Sequence, residues 1–153
     1  MKTYWFIFCK EELLLQHIGN EYYIPCSEHA PIKLSPWNTL IHLPDMNGCS
    51  CRAIRIDAPV TNLPGFEMMG LRVSFDVLSE QQYLMAGKAA ELLYWDVNTK
   101  FCGVCGGPMK FHTDISKRCT NCGKEVWPQL ATAIIVRVER GDEILMVHGR
   151  NFR

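Results

Sequence analysis

Residues 102–123 read CGVCGGPMKFHTDISKRCTNCG, and the spacing of the four cysteines decides what this stretch becomes. Cys102, Cys105, Cys119 and Cys122 form C-x2-C-x13-C-x2-C. Two residues between cysteines let a tight turn aim both sulfurs at one ion. The glycine after each pair, Gly106 and Gly123, admits a backbone conformation that a Cβ disfavours. Two such knuckles supply four soft thiolates in a tetrahedron. That set suits Zn²⁺ and leaves no open position for a water nucleophile, so the site is structural. A rubredoxin-like iron site would use the same donors, and two chance pairs of buried thiols are the remaining alternative. His112 lies between the knuckles, but a complete thiolate set leaves it no ligand role, and it reads as a surface histidine. Residues 98–127 hold 5 basic and 2 acidic side chains. Four thiolates around a divalent ion reduce that excess to about +1, a weak lure for a phosphate backbone.

Upstream of the knuckles a helix announces itself. Ser79-Glu80-Gln81-Gln82 has the S-x-x-Q form of a capping box, which satisfies orphan amides of a first helical turn. Tyr83, Ala86, Ala90, Leu93, Tyr94 and Val97 then recur at helical spacing as one apolar stripe that packs against a core or a neighbouring domain. Further back, residues 3–8 (TYWFIF) are aromatic and β-branched, as strands prefer. Residues 12–15 and 21–24 read as short strands flanking a Gly19-Asn20 turn. Prolines at 25, 31, 36, 44, 59 and 64 break the next stretch, where only residues 52–56 alternate cleanly. Cys49 and Cys51 hint at a second metal site, but no further ligand pair lies near them in sequence, and buried free thiols are the better reading.

Downstream, residues 131–138 (ATAIIVRV) read as a strand buried on both faces. Gly141-Asp142 makes a turn and residues 143–147 (EILMV) return as a hairpin. A lone hairpin is marginal in water, so this segment reads as the opening of a larger domain.

The whole chain of 153 residues balances 16 basic against 16 acidic side chains, which handicaps a dedicated nucleic-acid binder. No stretch approaches the ~20 apolar residues of a membrane span, and the apolar run after Lys2 ends at Lys10, too soon for a signal peptide. Paired thiols in that setting read as metal ligands in a reducing compartment, and the expected location is cytoplasmic. Phosphate-loop, dinucleotide-fold, zinc-protease and nucleophile-elbow motifs are all missing from the sequence.

Residues 89–105 (AAELLYWDVNTKFCGVC), the second knuckle, and Trp127-Pro128-Gln129-Leu130 leading into Ala133-Ile134-Ile135-Val136 resemble the NADH pyrophosphatase branch of the Nudix hydrolases. The resemblance is specific over residues 71–147 and architectural over residues 1–70. It implies a β-rich N-terminal domain, a four-cysteine zinc ribbon and then a catalytic Nudix domain opened by a Pro-Gln strand. The Nudix signature, G-x5-E-x7-R-E-U-x-E-E-x-G-U with U apolar, does not occur in these residues. In the family its glutamates hold Mg²⁺ or Mn²⁺, which charges the attacking water and neutralises the pyrophosphate. The chain is therefore expected to be the N-terminal portion of such an enzyme and inactive alone.

The reaction so implied is hydrolysis of the NADH or NAD⁺ pyrophosphate to nicotinamide mononucleotide and AMP, or removal of NAD caps from RNA. A homodimer is among the assemblies the resemblance implies. In the resembling family an aromatic at the place of Trp127 helps form the adenine-binding surface; packing of the ribbon against the Nudix sheet is the competing role. A stand-alone zinc-ribbon adaptor for protein or nucleic acid, and a dimerisation module, are the other functional classes. The expected fold is α+β: a β-rich domain over residues 1–78, a connecting helix over 79–98, the zinc ribbon over 99–127 and the start of a Nudix fold over 128–153.

Overall fold

A computed structural model describes residues 2–129, 133–147 and 149–150. The N-terminal part is a mixed sheet built from β1 (Thr3–Cys9), β2 (Glu12–Ile18), β3 (Glu21–Tyr23), β4 (Cys26–Ser27), β5 (Leu40–Met46), β6 (Cys49–Arg55) and β7 (Phe66–Gly70). Its main path runs β3-β2-β1-β6-β5, with β4 paired to β1 and β7 to β2. Strands β1 and β6 are parallel from Thr3↔Ser50 to Phe8↔Arg55, and the other pairs are antiparallel.

The alternation along β1 explains why the sheet is covered on both faces. Phe6 and Phe8 join Leu13, Leu15, Ile41, Leu43 and Ala53 on one face, where the helix packs. Trp5 and Ile7 join Leu14 and Ile54 on the other, covered by Ala30, Ile32, Leu34 and Val60 from the proline-broken loops. The proline-rich stretch thus serves as a lid over the second face.

Strand β5 there escapes the sequence pattern. β5 contains Pro44, which falls where the β5–β6 register shifts between Leu43 and Met46. β5 ends the sheet path, and a proline is tolerated on an edge strand at a bulge because its missing N–H breaks no ladder bond. Asn47 and Gly48 connect β5 to β6 with φ of 51° and 72°, the left-handed pair that a tight two-residue hairpin turn requires.

After a 3-10 turn at Val73–Asp76 comes α1 (Glu80–Asn98). Ser79 caps it, its hydroxyl accepting from the Gln82 N–H at 3.4 Å. The buried face comprises Ala86, Ala89, Leu92, Leu93 and Trp95, rotated from the expected stripe. Tyr94 lies 68% exposed, and Val97 is exposed as well. Spacing alone defines a stripe, whereas the sheet selects the face that it buries, on which Ala86 and Ala89 allow close approach.

The ribbon is a three-stranded sheet, β10-β9-β8, from β8 (Met109–Thr113), β9 (Ser116–Cys119) and β10 (Glu125–Val126). The downstream hairpin forms, but it is shorter than expected. Its strands are β11 (Glu139–Arg140) and β12 (Glu143–Ile144), extended by one bond from Leu145 N–H to Val138 O at 3.0 Å. Of the strand expected over 131–138, residues 131 and 132 lie outside the described residues, and residues 133–138 are not in a strand. The expected burial on both faces is also corrected. Ile134, Ile135, Val136, Met146 and Val147 are all exposed, because no second layer covers this ribbon among the described residues. No helix among these residues is long and apolar enough to cross a membrane.

Candidate metal centre

Each knuckle turns on its glycine. Gly106 donates its N–H to Cys102 O at 2.9 Å with φ of 70°, and Gly123 donates to Cys119 O at 3.2 Å with φ of 75°. Both residues occupy the left-handed region, where a side chain would be strained. The turns carry the sulfurs inward, so that the Sγ atoms of Cys102, Cys105, Cys119 and Cys122 all lie within 4.8 Å of one another. Cys102 and Cys122 approach to 3.7 Å and Cys105 and Cys119 to 3.4 Å. A tetrahedron with Zn–S bonds of 2.3 Å has sulfur–sulfur edges of about 3.8 Å, so the observed spacing fits a four-thiolate ion and is far longer than a disulfide bond.

Backbone amides complete the preparation for negative charge. Cys102 Sγ accepts from Val104 N–H at 3.4 Å, and Cys119 Sγ accepts from the N–H groups of Asn121 (3.4 Å) and Cys122 (3.5 Å). The Cys122 amide is the foremost reason that the Cys119 thiol is lowered to about 6. The Cys105 amide similarly leads in lowering Cys102. At Cys122 the Lys124 amide pulls downward, but the crowding thiols of Cys105, Cys102 and Cys119, with burial, outweigh it and push the group up to about 12. Four thiols this close cannot all ionise unless a cation sits among them.

Among the described residues this is the single group of three or more ligand atoms close enough to share an ion. The structure does draw Cys26 towards Cys49: the Cys26 thiol is raised foremost by burial and next by Cys49. Cys51 is raised to about 11, again foremost by burial. Cys51 is buried as expected, whereas Cys49, like Cys26, is only partly buried, and these thiols form no second ligand group among the described residues. His112 is exposed on β8 and lies outside the sulfur cluster.

The residue that sequence reasoning missed is Lys117, on β9 and 3% exposed. Its ammonium donates to the backbone oxygens of Asp96 (2.8 Å) and Thr99 (3.3 Å) and pairs with Asp96 Oδ1 at 2.6 Å. It also lies 5.2 Å from the Trp95 ring centre and 5.0 Å from that of Phe111, rings that themselves meet edge-on. The last turn of α1 presents carbonyls without intrahelical partners, and a cation there is favoured by the helix dipole. Lys117 therefore fastens the ribbon to the end of α1, while Val126 packs against both the main core and the ribbon's own small core. Only its place in a run of charged surface residues was visible in sequence, and a lysine there ordinarily reads as solvated.

Trp127 follows directly after β10 and is 54% exposed. Its indole makes no hydrogen bond or ring contact among the described residues.

Two family models match consecutive parts of the chain, together spanning residues 2–126 with a short gap between them. Residues 2–95 match the NADH pyrophosphatase-like rudimentary NUDIX domain, which accounts for the sheet and nearly all of α1 as one unit. Residues 98–126 match the NADH pyrophosphatase zinc ribbon domain. The chain belongs to the NADH pyrophosphatase-like NUDIX family. Its relatives include proteins named NAD-capped RNA hydrolase NudC. That of Deinococcus radiodurans is 37% identical over 105 residues, covering 61% of this chain and 38% of the relative. That of Stutzerimonas stutzeri is 33% identical over 100 residues, covering 63% and 35%. The chain thus spans little more than a third of the length of these family members. The zinc ribbon of the family and the sulfur cluster agree on a structural zinc site.

Proposed function

We propose that this chain is the N-terminal and zinc-ribbon portion of a hydrolase that cleaves the pyrophosphate of NADH or NAD⁺, free or as the cap of an RNA. The observation that carries this reading is the pairing, in one order, of a rudimentary NUDIX domain with its zinc ribbon. The relatives named as NAD-capped RNA hydrolases support the substrate class. Cys102, Cys105, Cys119 and Cys122 would hold zinc, which supplies a cross-link that fixes both knuckles and no reactive water. The ribbon, tied to α1 by Lys117, then presents Trp127 at a fixed place.

Half-exposed and free of ring partners among the described residues, Trp127 is available to stack an adenine. The exposed apolar side chains of Ile134, Ile135, Met146 and Val147 would be covered by a catalytic domain in a longer protein, a placement that a stand-alone adaptor would not explain. The metal-binding glutamates of the Nudix signature do not occur in these 153 residues. On this reading the fragment does not turn over the dinucleotide, and the Mg²⁺ or Mn²⁺ of the full enzyme is held elsewhere. The test compares this chain with one extended through the signature, assayed for AMP release from NADH with added Mg²⁺ or Mn²⁺. Metal-dependent turnover by the extended chain alone is expected. Turnover by the 153-residue chain, or none by the extended one, would overturn the proposal.

A further inference from the structure

A second site lies away from the zinc ribbon, at the carboxyl ends of the two parallel strands. β1 ends at Cys9 and β6 at Arg55, and beyond them, against α1, opens a cavity of about 760 Å³. That volume is in the range of small-molecule sites, and the carboxyl ends of parallel strands are where such sites form in open sheets. Lys10, Arg55 and Arg72 line it beside a single carboxylate, Glu11. None of the three cations has an ion-pair partner among the described residues, whereas four other basic side chains do.

Two further observations point to a ligand. Lys10 has φ of 55° in the turn between β1 and β2, a position where glycine or asparagine is the ordinary choice. A lysine held in that conformation costs local stability, and it lines the cavity. Beside the cations the same cavity is lined by the apolar side chains of Leu93 and Val73 and by the ring of Tyr94. Tyr94 and Val73 are exposed, whereas Leu93 beside them is buried.

We propose that this cavity binds a nucleotide, its phosphate held by Arg55, Arg72 and Lys10 and its base laid against Tyr94. Arginine grips phosphate through a planar fork, and an aromatic side chain stacks any base. The nucleotide can be a free mononucleotide or one residue of a single-stranded RNA. The site stands apart from the proposed hydrolysis, which needs residues outside this chain.

Titration calorimetry on the zinc-loaded 153-residue chain tests it, with AMP, adenosine, inorganic phosphate and a short single-stranded oligoribonucleotide as probes. Saturable binding of AMP is expected, with adenosine and phosphate each at least about tenfold weaker. Arg55→Gln and Arg72→Gln should each weaken AMP roughly tenfold, and Tyr94→Ala about as much, with unchanged circular dichroism. If an arginine variant does not fold, Tyr94→Ala, which alters an exposed ring, carries the comparison. Tighter binding of the oligoribonucleotide, lost in the same variants, identifies RNA as the source; preference for AMP identifies a free nucleotide. Absence of saturable binding to both, or binding that survives all three substitutions, refutes the site. Because this chain is assayed without a catalytic domain, failure of the hydrolase reading leaves the result untouched, and the reverse also holds.

Discussion

Replacing Lys117 by methionine should weaken the joint between α1 and the ribbon more than any other single change at a charged side chain. The substitution keeps an unbranched apolar stem between the Trp95 and Phe111 rings, but it removes the ammonium that satisfies three oxygens: Asp96 Oδ1, Asp96 O and Thr99 O. Breaking a fully buried ion pair from one side costs about 3–5 kcal/mol. Asp96 keeps 16% exposure, so its orphaned carboxylate regains some hydration, which reduces the figure. The two carbonyls add about 1 kcal/mol for the closer contact and less for the one at 3.3 Å. Sulfur against the two rings returns some tenths of a kcal/mol. The balance is a loss of about 3 kcal/mol, which for a chain of this size lowers the melting temperature by roughly 6–12 °C. Urea denaturation at saturating zinc, read by tryptophan fluorescence, measures it. The Lys117→Met/Asp96→Leu double variant should recover most of the loss, since no buried charge is then left unpaired. A loss below about 1 kcal/mol for Lys117→Met, or no recovery in the double variant, would refute this account.

Purified protein should contain one zinc per chain, measured by elemental analysis. Cys105→Ser or chelation should unfold the ribbon while leaving the α1-covered sheet folded, because binding and folding are coupled at such sites; full occupancy by iron would reject the zinc assignment. In a chain extended through the Nudix signature, Trp127→Ala should raise the KM for the dinucleotide about tenfold or more, with little change in melting temperature. A large stability loss at unchanged KM would return Trp127 to a packing role. The same extended chain should lose turnover on removal of Mg²⁺ or Mn²⁺ while retaining its ribbon zinc, a separation read by paired activity and metal analysis.

The sequence alone determined the sulfur cluster, since a C-x2-C turn followed by glycine is a local conformation, and local geometry aims both sulfurs whatever surrounds them. It also determined the start of α1, because Ser79 acts on an amide three residues away, and the Gly19-Asn20 turn between β2 and β3. The Asn47-Gly48 turn was equally local, and was obscured only by Pro44, whose tolerance depends on β5 being the edge of a sheet. What tertiary structure decided is everything that depends on a partner distant in sequence. The parallel pairing of β1 with β6 joins residues 47 apart and leaves no periodic trace. The face of α1 that is buried was chosen by the sheet beneath it. Lys117 became a buried cation because the helix end offered three oxygens 18 to 21 residues upstream. Arg55, Arg72 and Lys10 meet at one cavity only because β1, β6 and the segment after β7 end side by side. Charge in a sequence is a list; its consequence depends on which charges the fold brings within a few ångströms, and on whether water remains between them.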